Sequence, residues 1–127
     1  MTEKDELTLT ERIEAVEQAY EFMLAYAAQG REDEGGSIRQ FLERAAAALD
    51  GLSRAATSQD TTSCGALADF LEILDDDARK ARAALQLALA QKSISSQLVD
   101  NLNASIHLRA LLTDIFLIDE ALKRRDG

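Results

Sequence analysis

The chain has 127 residues, a formal net charge of −9 from 23 acidic and 14 basic side chains, no proline, one cysteine and one histidine. That length suits one domain with its own core, and the acidic field repels phosphate backbones and anionic bilayers, which argues against nucleic acid or a membrane surface as a partner. A lone cysteine and a lone histidine can make neither an internal disulfide nor a zinc site, so no metal or cofactor is expected.

The charged opening Met1-Thr2-Glu3-Lys4-Asp5-Glu6 has no apolar run behind it, unlike a secretory signal, and predicts a cytoplasmic protein. The longest apolar runs, such as Ile115 to Ile118, fall far short of the roughly 20 residues that span a bilayer. Without proline, and with alanine, leucine, glutamate, glutamine and arginine prominent, the reading is all-α. No strand is expected.

The first helix covers about 8–29. Thr8 and Glu11 have capping-box spacing and Gly30 is a stop. Leu9, Ile13, Val16, Tyr20, Met23, Leu24 and Ala27 make one apolar stripe, and Ala15, Ala19, Phe22 and Tyr26 make a second on the other side. After the charged, glycine-rich loop 31–36, Ser37 and Gln40 repeat the capping spacing. The second helix, about 38–57, buries Ile38, Phe41, Leu42, Ala45, Leu49, Leu52 and Ala56, with Gly51 tolerated off the stripe at about 1 kcal/mol relative to alanine.

A polar stretch over 57–63 separates the third helix, about 64–91, whose stripe runs Leu67, Phe70, Leu71, Leu74, Ala78, Ala81, Leu85 and Leu89. Within it, Asp75 with Arg79 and Asp76 with Lys80 are acid-to-base pairs at i, i+4 on a solvated face. Adjacent carboxylates on a helix diverge by about 100° and cannot converge on one ion. Ser93 to Ser96 offers caps but no glycine or proline. The fourth helix, about 94–124, is on the order of 45 Å long. It carries a main stripe from Leu98 to Leu122 and a second gathering of Val99, Leu102, Ile106 and Leu117. Asn101 and Asp119 project to its core side, with Arg39 or Arg44 as candidate partners for Asp119.

Four amphipathic segments with short connections predict an antiparallel up-and-down four-helix bundle forming a single domain, helix four the longest. Its first and last helices are neighbours, so the two extra stripes can merge into one outer patch of Ala15, Ala19, Phe22, Tyr26, Val99, Leu102, Ile106 and Leu117. Such a patch marks an interface, with a twofold homodimer or another protein as its partner. The expected function is non-enzymatic: an adaptor, regulator or accessory subunit.

Two residues carry candidate chemistry. His107, in Ile106-His107-Leu108-Arg109-Ala110, sits on helix four near a base. In this it resembles histidine phosphotransfer domains, which implies a candidate phosphoacceptor in a helical bundle. Those domains show His, any residue, Leu, Lys or Arg, Gly, whereas here the leucine and the base each come one place early. Di-iron chemistry lacks its Glu-x-x-His pairs. Cys64, at the start of helix three, is a candidate reactive thiol if helix amides lower its pKa, but no base accompanies it in sequence. A small apolar ligand held between helices is the third reading, suggested by Tyr20, Met23 and the many alanines.

Overall fold

A computed structural model describes residues 7–30, 32–33, 36–57 and 65–126. Cys64 lies outside them. The order is α1 (Leu9–Ala27), β1 (Glu32–Asp33), α2 (Ser37–Leu49), α3 (Leu52–Thr57), α4 (Gly65–Leu89), β2 (Ile94–Ser95), α5 (Ser96–Ala104) and α6 (Ile106–Asp126). The protein is mostly helical, as its composition predicts, and no helix among the described residues is long and apolar enough to cross a membrane.

α1 starts where the sequence places it. The Glu11 N–H donates to Thr8 Oγ1 at 3.0 Å, and Glu11 Oε1 accepts from the Thr8 N–H at 3.0 Å. That reciprocal pair satisfies two of the otherwise orphaned first-turn donors. α2 departs from the expected capping box. Its N-cap is Gly36, at φ 78°, with no side-chain bond to the first turn.

The structure differs from the sequence pattern in two helix breaks and one strand pair. The helix over 38–57 is two, interrupted at Gly51 with φ 92°, a left-handed conformation that a side chain resists. The helix over 94–124 is also two. Ser105, at ψ 131°, ends α5 by donating its N–H to Leu102 O at 3.0 Å. It then starts α6, its Oγ accepting from the His107 N–H at 3.2 Å and its carbonyl from the Arg109 N–H at 3.1 Å. One serine thus caps both helices without help from glycine or proline. Finally, a minimal strand pair exists: β1 and β2 are antiparallel, Glu32 opposite Ser95 and Asp33 opposite Ile94.

α1 packs on α2 and on α5, α2 also packs on α4, and α4 packs on α6. The buried apolar side chains form one cluster drawn from all of these helices. Helices ending against it leave carbonyls that need donors. Neither α2 nor α4 has a basic residue in its own last turn, and neighbouring helices supply the cations. Arg12 of α1, itself buried, donates Nη1 to Ala48 O at 2.9 Å and to Asp50 O at 2.7 Å, and its Nε to Leu7 O at 3.1 Å. Arg82 of α4 donates Nε to Ala46 O at 3.2 Å. Arg39 of α2 donates to Leu89 O at 2.7 Å and Gln91 O at 2.8 Å, closing the end of α4. Each cation also opposes the negative end of the helix it caps.

The α1 terminus is tied to the start of α5. Tyr26 donates its hydroxyl to Ile94 O at 2.5 Å, and Ser96 Oγ donates to Tyr26 O at 2.7 Å.

Arg12→Met keeps most of the aliphatic stem and removes every donor. Because charge-assisted bonds to buried acceptors are lost, urea unfolding of this variant is expected to show a loss of about 2–4 kcal/mol. A loss below about 0.5 kcal/mol would mean the caps are incidental.

Candidate functional site

The residues expected to form one outer patch divide into two groups. Ala19, Tyr26, Val99 and Leu102 are interior, and Ala15 and Phe22 are partly buried against the core. The reason is α1's position between α2 and α5: its two apolar sides are both used within the chain. Phe22 stacks on Phe41 of α2 with centroids 4.5 Å apart, and Arg44 lies 5.5 Å over the Phe41 ring. Val99 and Leu102 belong to α5, the element that packs on α1. The break at Ser105 separates their helical phase from that of Ile106 and Leu117, which face outward.

α6 is apolar on both sides. Leu108, Leu111, Leu112, Ile115 and Ile118 are buried. Opposite them stand Ile106, 74% exposed, Phe116, 56%, and Leu117, 57%. At about 100° per residue, Ile106, Arg109, Thr113, Phe116, Leu117 and Glu120 all lie within about 60° of Thr113. The Thr113 hydroxyl donates to Arg109 O at 3.0 Å, so its polar group is satisfied within the helix. On the adjoining α4, Ile73 and Leu87 are also exposed. Phe116 escapes the sequence reading because it belongs to neither helix-four stripe. Its signal is the i, i+3 spacing from Thr113 and the i, i+10 spacing from Ile106.

Between α4 and α6 lies a second feature with no warning in the sequence pattern. Asp114 is only 8% exposed, and its Oδ2 has no donor. Burial first, then a hydrogen bond with Asp77 of α4 and the charge of Asp77, push Asp114 up to about 7 from the ordinary 3.8. A shared proton resolves both the orphaned oxygen and the like-charge contact: protonated Asp114 donates to Asp77. The other carboxylates of this stretch behave as the spacing predicts. Asp75 meets Arg79 at 3.4 Å, and Asp76 meets Arg79 and Lys80 at 3.1 Å each. The bond from Lys80 and its charge hold Asp76 below its usual value. Asn103 Oδ1 is likewise buried without a donor.

His107 is exposed in the first turn of α6, flanking the outer face. Asn101 is exposed and accepts from Gln97 Nε2 at 3.4 Å, not turned to the core, while Asp119 is half-buried. Arg39 and Arg44 serve Leu89 O and Gln18 Oε1 respectively. Among the described residues, no three His, Cys, Asp or Glu side chains are grouped to hold a metal. A groove of about 380 Å³ runs between α1 and α2, its rim set by Glu11, Glu14, Gln18 and Arg44 and its floor by Ala15 and Ala47. It is open and polar-edged, not an enclosed apolar pocket.

Comparisons of the chain with protein-family models, with curated proteins and with solved structures return no match.

The acid pair ties stability to pH. The folded protein holds a proton on Asp114 that the unfolded chain releases near pH 4, so this group's stabilising contribution is full below that pH. It declines as pH rises toward 7 and is lost above. Asp114→Asn keeps a donor toward Asp77 and carries no charge. Its urea midpoint relative to wild type is expected to climb between pH 5 and pH 8, and a constant difference across that range would refute the shared proton.

Proposed function

We propose that this protein is a non-enzymatic protein–protein interaction module that works through the outward face of α6 and the adjoining edge of α4. One observation carries the reading: Ile106, Phe116 and Leu117 recur on one side of a helix whose opposite side is already filled by the core. Scattered exposed apolar residues are ordinary, but Phe116 and Leu117 side by side on one turn, with Ile106 about three turns before them on the same face, form the kind of patch that marks a surface meant to be covered. In this reading the helices form an antiparallel up-and-down bundle. α2 with α3, and α5 with α6, take the places of single long second and fourth helices. α4 then runs antiparallel to α6, which sets Ile73 beside Leu117, because Asp77 and Asp114 meet between them. The occupant of the face is a second copy of the chain or another protein.

His107 supports a second reading, phosphotransfer, since its ring is exposed and Arg109 follows two residues on. Acid-labile phosphate on His107 after incubation with a phosphorylated response regulator would favour it over the first.

The double variant Phe116→Glu, Leu117→Glu alters only exposed positions, so its unfolding free energy should stay within about 1 kcal/mol of wild type. Light scattering and quantitative affinity capture from host extract are expected to show at least a tenfold drop, of order 1.4 kcal/mol, in self-association or in capture of a specific protein. If neither depends on these two side chains, the face is not an interface.

A further inference from the structure

The geometry points to an anion site at the junction of α2 and α3, where the guanidiniums of Arg12 and Arg54 converge over Gly51 to hold a phosphate dianion, free or as the monoester of a small molecule. The site is separate from the α6 face and stands or falls independently of the interaction reading above.

Gly51 creates the space. It breaks the helix at φ 92°, and a Cβ built on it would lie 2.9 Å from Arg54 Nη2 and 3.7 Å from Arg12 Nη2. The sum of those distances, about 6.6 Å, is the most that can separate the two nitrogens. Arg54 reaches this spot because helical side chains lean toward the N-terminus, here over the residue one turn before. Arg12 reaches it from α1. Its Nε and Nη1 are already engaged with Leu7 O, Ala48 O and Asp50 O, which fixes the direction of the guanidinium.

No carboxylate answers these two cations. Asp50 stands four residues before Arg54, the spacing of a helical acid-to-base pair, but the break at Gly51 intervenes. Among the described residues, neither the Asp50 carboxylate nor the Arg54 guanidinium has a hydrogen bond or an ion pair. Glu11, next to Arg12, is occupied by the Thr8 N–H. Arg12 is only 8% exposed, and its Nη2 has no acceptor among the described residues. The wholly buried unpartnered side-chain atoms there are Asn103 Oδ1 and Asp114 Oδ2, so Arg12 Nη2 keeps contact with solvent.

Charge and reach select the ligand. Two guanidiniums present two unit charges, which match a phosphate dianion better than a carboxylate, and their open N–H groups suit its several oxygens. Bonds of about 2.8 Å to two oxygens about 2.5 Å apart span about 8 Å, enough for one anion to touch both nitrogens. Arg82, donating to Ala46 O at 3.2 Å, adds a third cation to this end of α2. The net charge of −9 opposes long phosphate polymers more than one small anion, because salt screens distant carboxylates beyond about 8 Å.

The test follows the arginine side-chain N–H resonances of the full chain by NMR during titration with inorganic phosphate, glycerol phosphate and acetate, with chloride holding ionic strength constant. Saturable shifts at Arg12 and Arg54 are expected with the phosphates, and acetate is expected to bind about tenfold more weakly or worse. Tighter binding of glycerol phosphate assigns the site to a monoester, and equal or weaker binding assigns it to the free anion; either supports the site. Arg54→Gln is expected to raise the phosphate dissociation constant about tenfold or more, and Arg54→Lys, which keeps the charge and loses the fork, by less. Arg54 is exposed and repelled by Arg12, so in phosphate-free buffer the glutamine variant should match or exceed the wild-type urea midpoint, which separates a lost ligand from a lost fold. The absence of a saturable shift up to about 20 mM phosphate overturns the inference. Acetate binding as tightly as phosphate, or shifts that survive Arg54→Gln, overturn it as well.

Discussion

Helices that stop against a protein core leave carbonyl oxygens with no partner, and here arginines from neighbouring helices satisfy them. Arg12 reaches from α1 to the end of α2, Arg82 from α4 to the same end, and Arg39 from α2 to the end of α4. The network fixes where α2 and α4 end, and hence how α1, α2 and α4 sit together. Guanidinium suits the task because its donors fan out in a plane and can reach several carbonyls, which an ammonium on a flexible stem does less well. The same side chains add packing through their aliphatic stems.

What the sequence showed was periodicity. The all-α class, the Thr8–Glu11 capping box, the extent of α4 and the Asp75, Asp76, Arg79, Lys80 pairings were all legible, because each depends on spacing within one helix. The two-sided character of α1 was legible too, but not its cause. Periodicity reports that two faces are apolar and cannot say whether a second helix of the same chain or another molecule covers the second one. Ala19 and Tyr26 show the first outcome. The Ser105 break hid the rest, since a serine can end one helix and begin the next without leaving the composition signature of a turn. Carrying one helical phase across it grouped Val99 and Leu102 with Ile106 and Leu117. The arginine caps were invisible for a related reason: they join groups 36 to 50 residues apart and use backbone atoms that have no sequence identity.

Asp114, which meets Asp77 of α4, lies on the flank of α6 between its buried side and its exposed stripe. Asp114 lies one turn from both Leu117 and Ile118, the first turned to solvent and the second to the core. The protonation of Asp114 therefore bears on packing right beside the outer face, because close-packed interiors transmit strain. The interaction surface and the least comfortable polar group of the interior share a single structural element.

The tie between Tyr26 and the Ile94–Ser96 segment has a consequence for the order of folding. It joins residues 68 and 70 positions apart, and closing a free loop of that length costs roughly 4 kcal/mol in chain entropy. Docking α2 on α1 and α4 on α2 first shortens the open stretch to little more than the turn after Leu89, and the cost nearly vanishes. In that order of assembly the Tyr26 hydroxyl is the last of these contacts to close, and contacts that form late govern how fast a native protein comes apart more than how fast it is made.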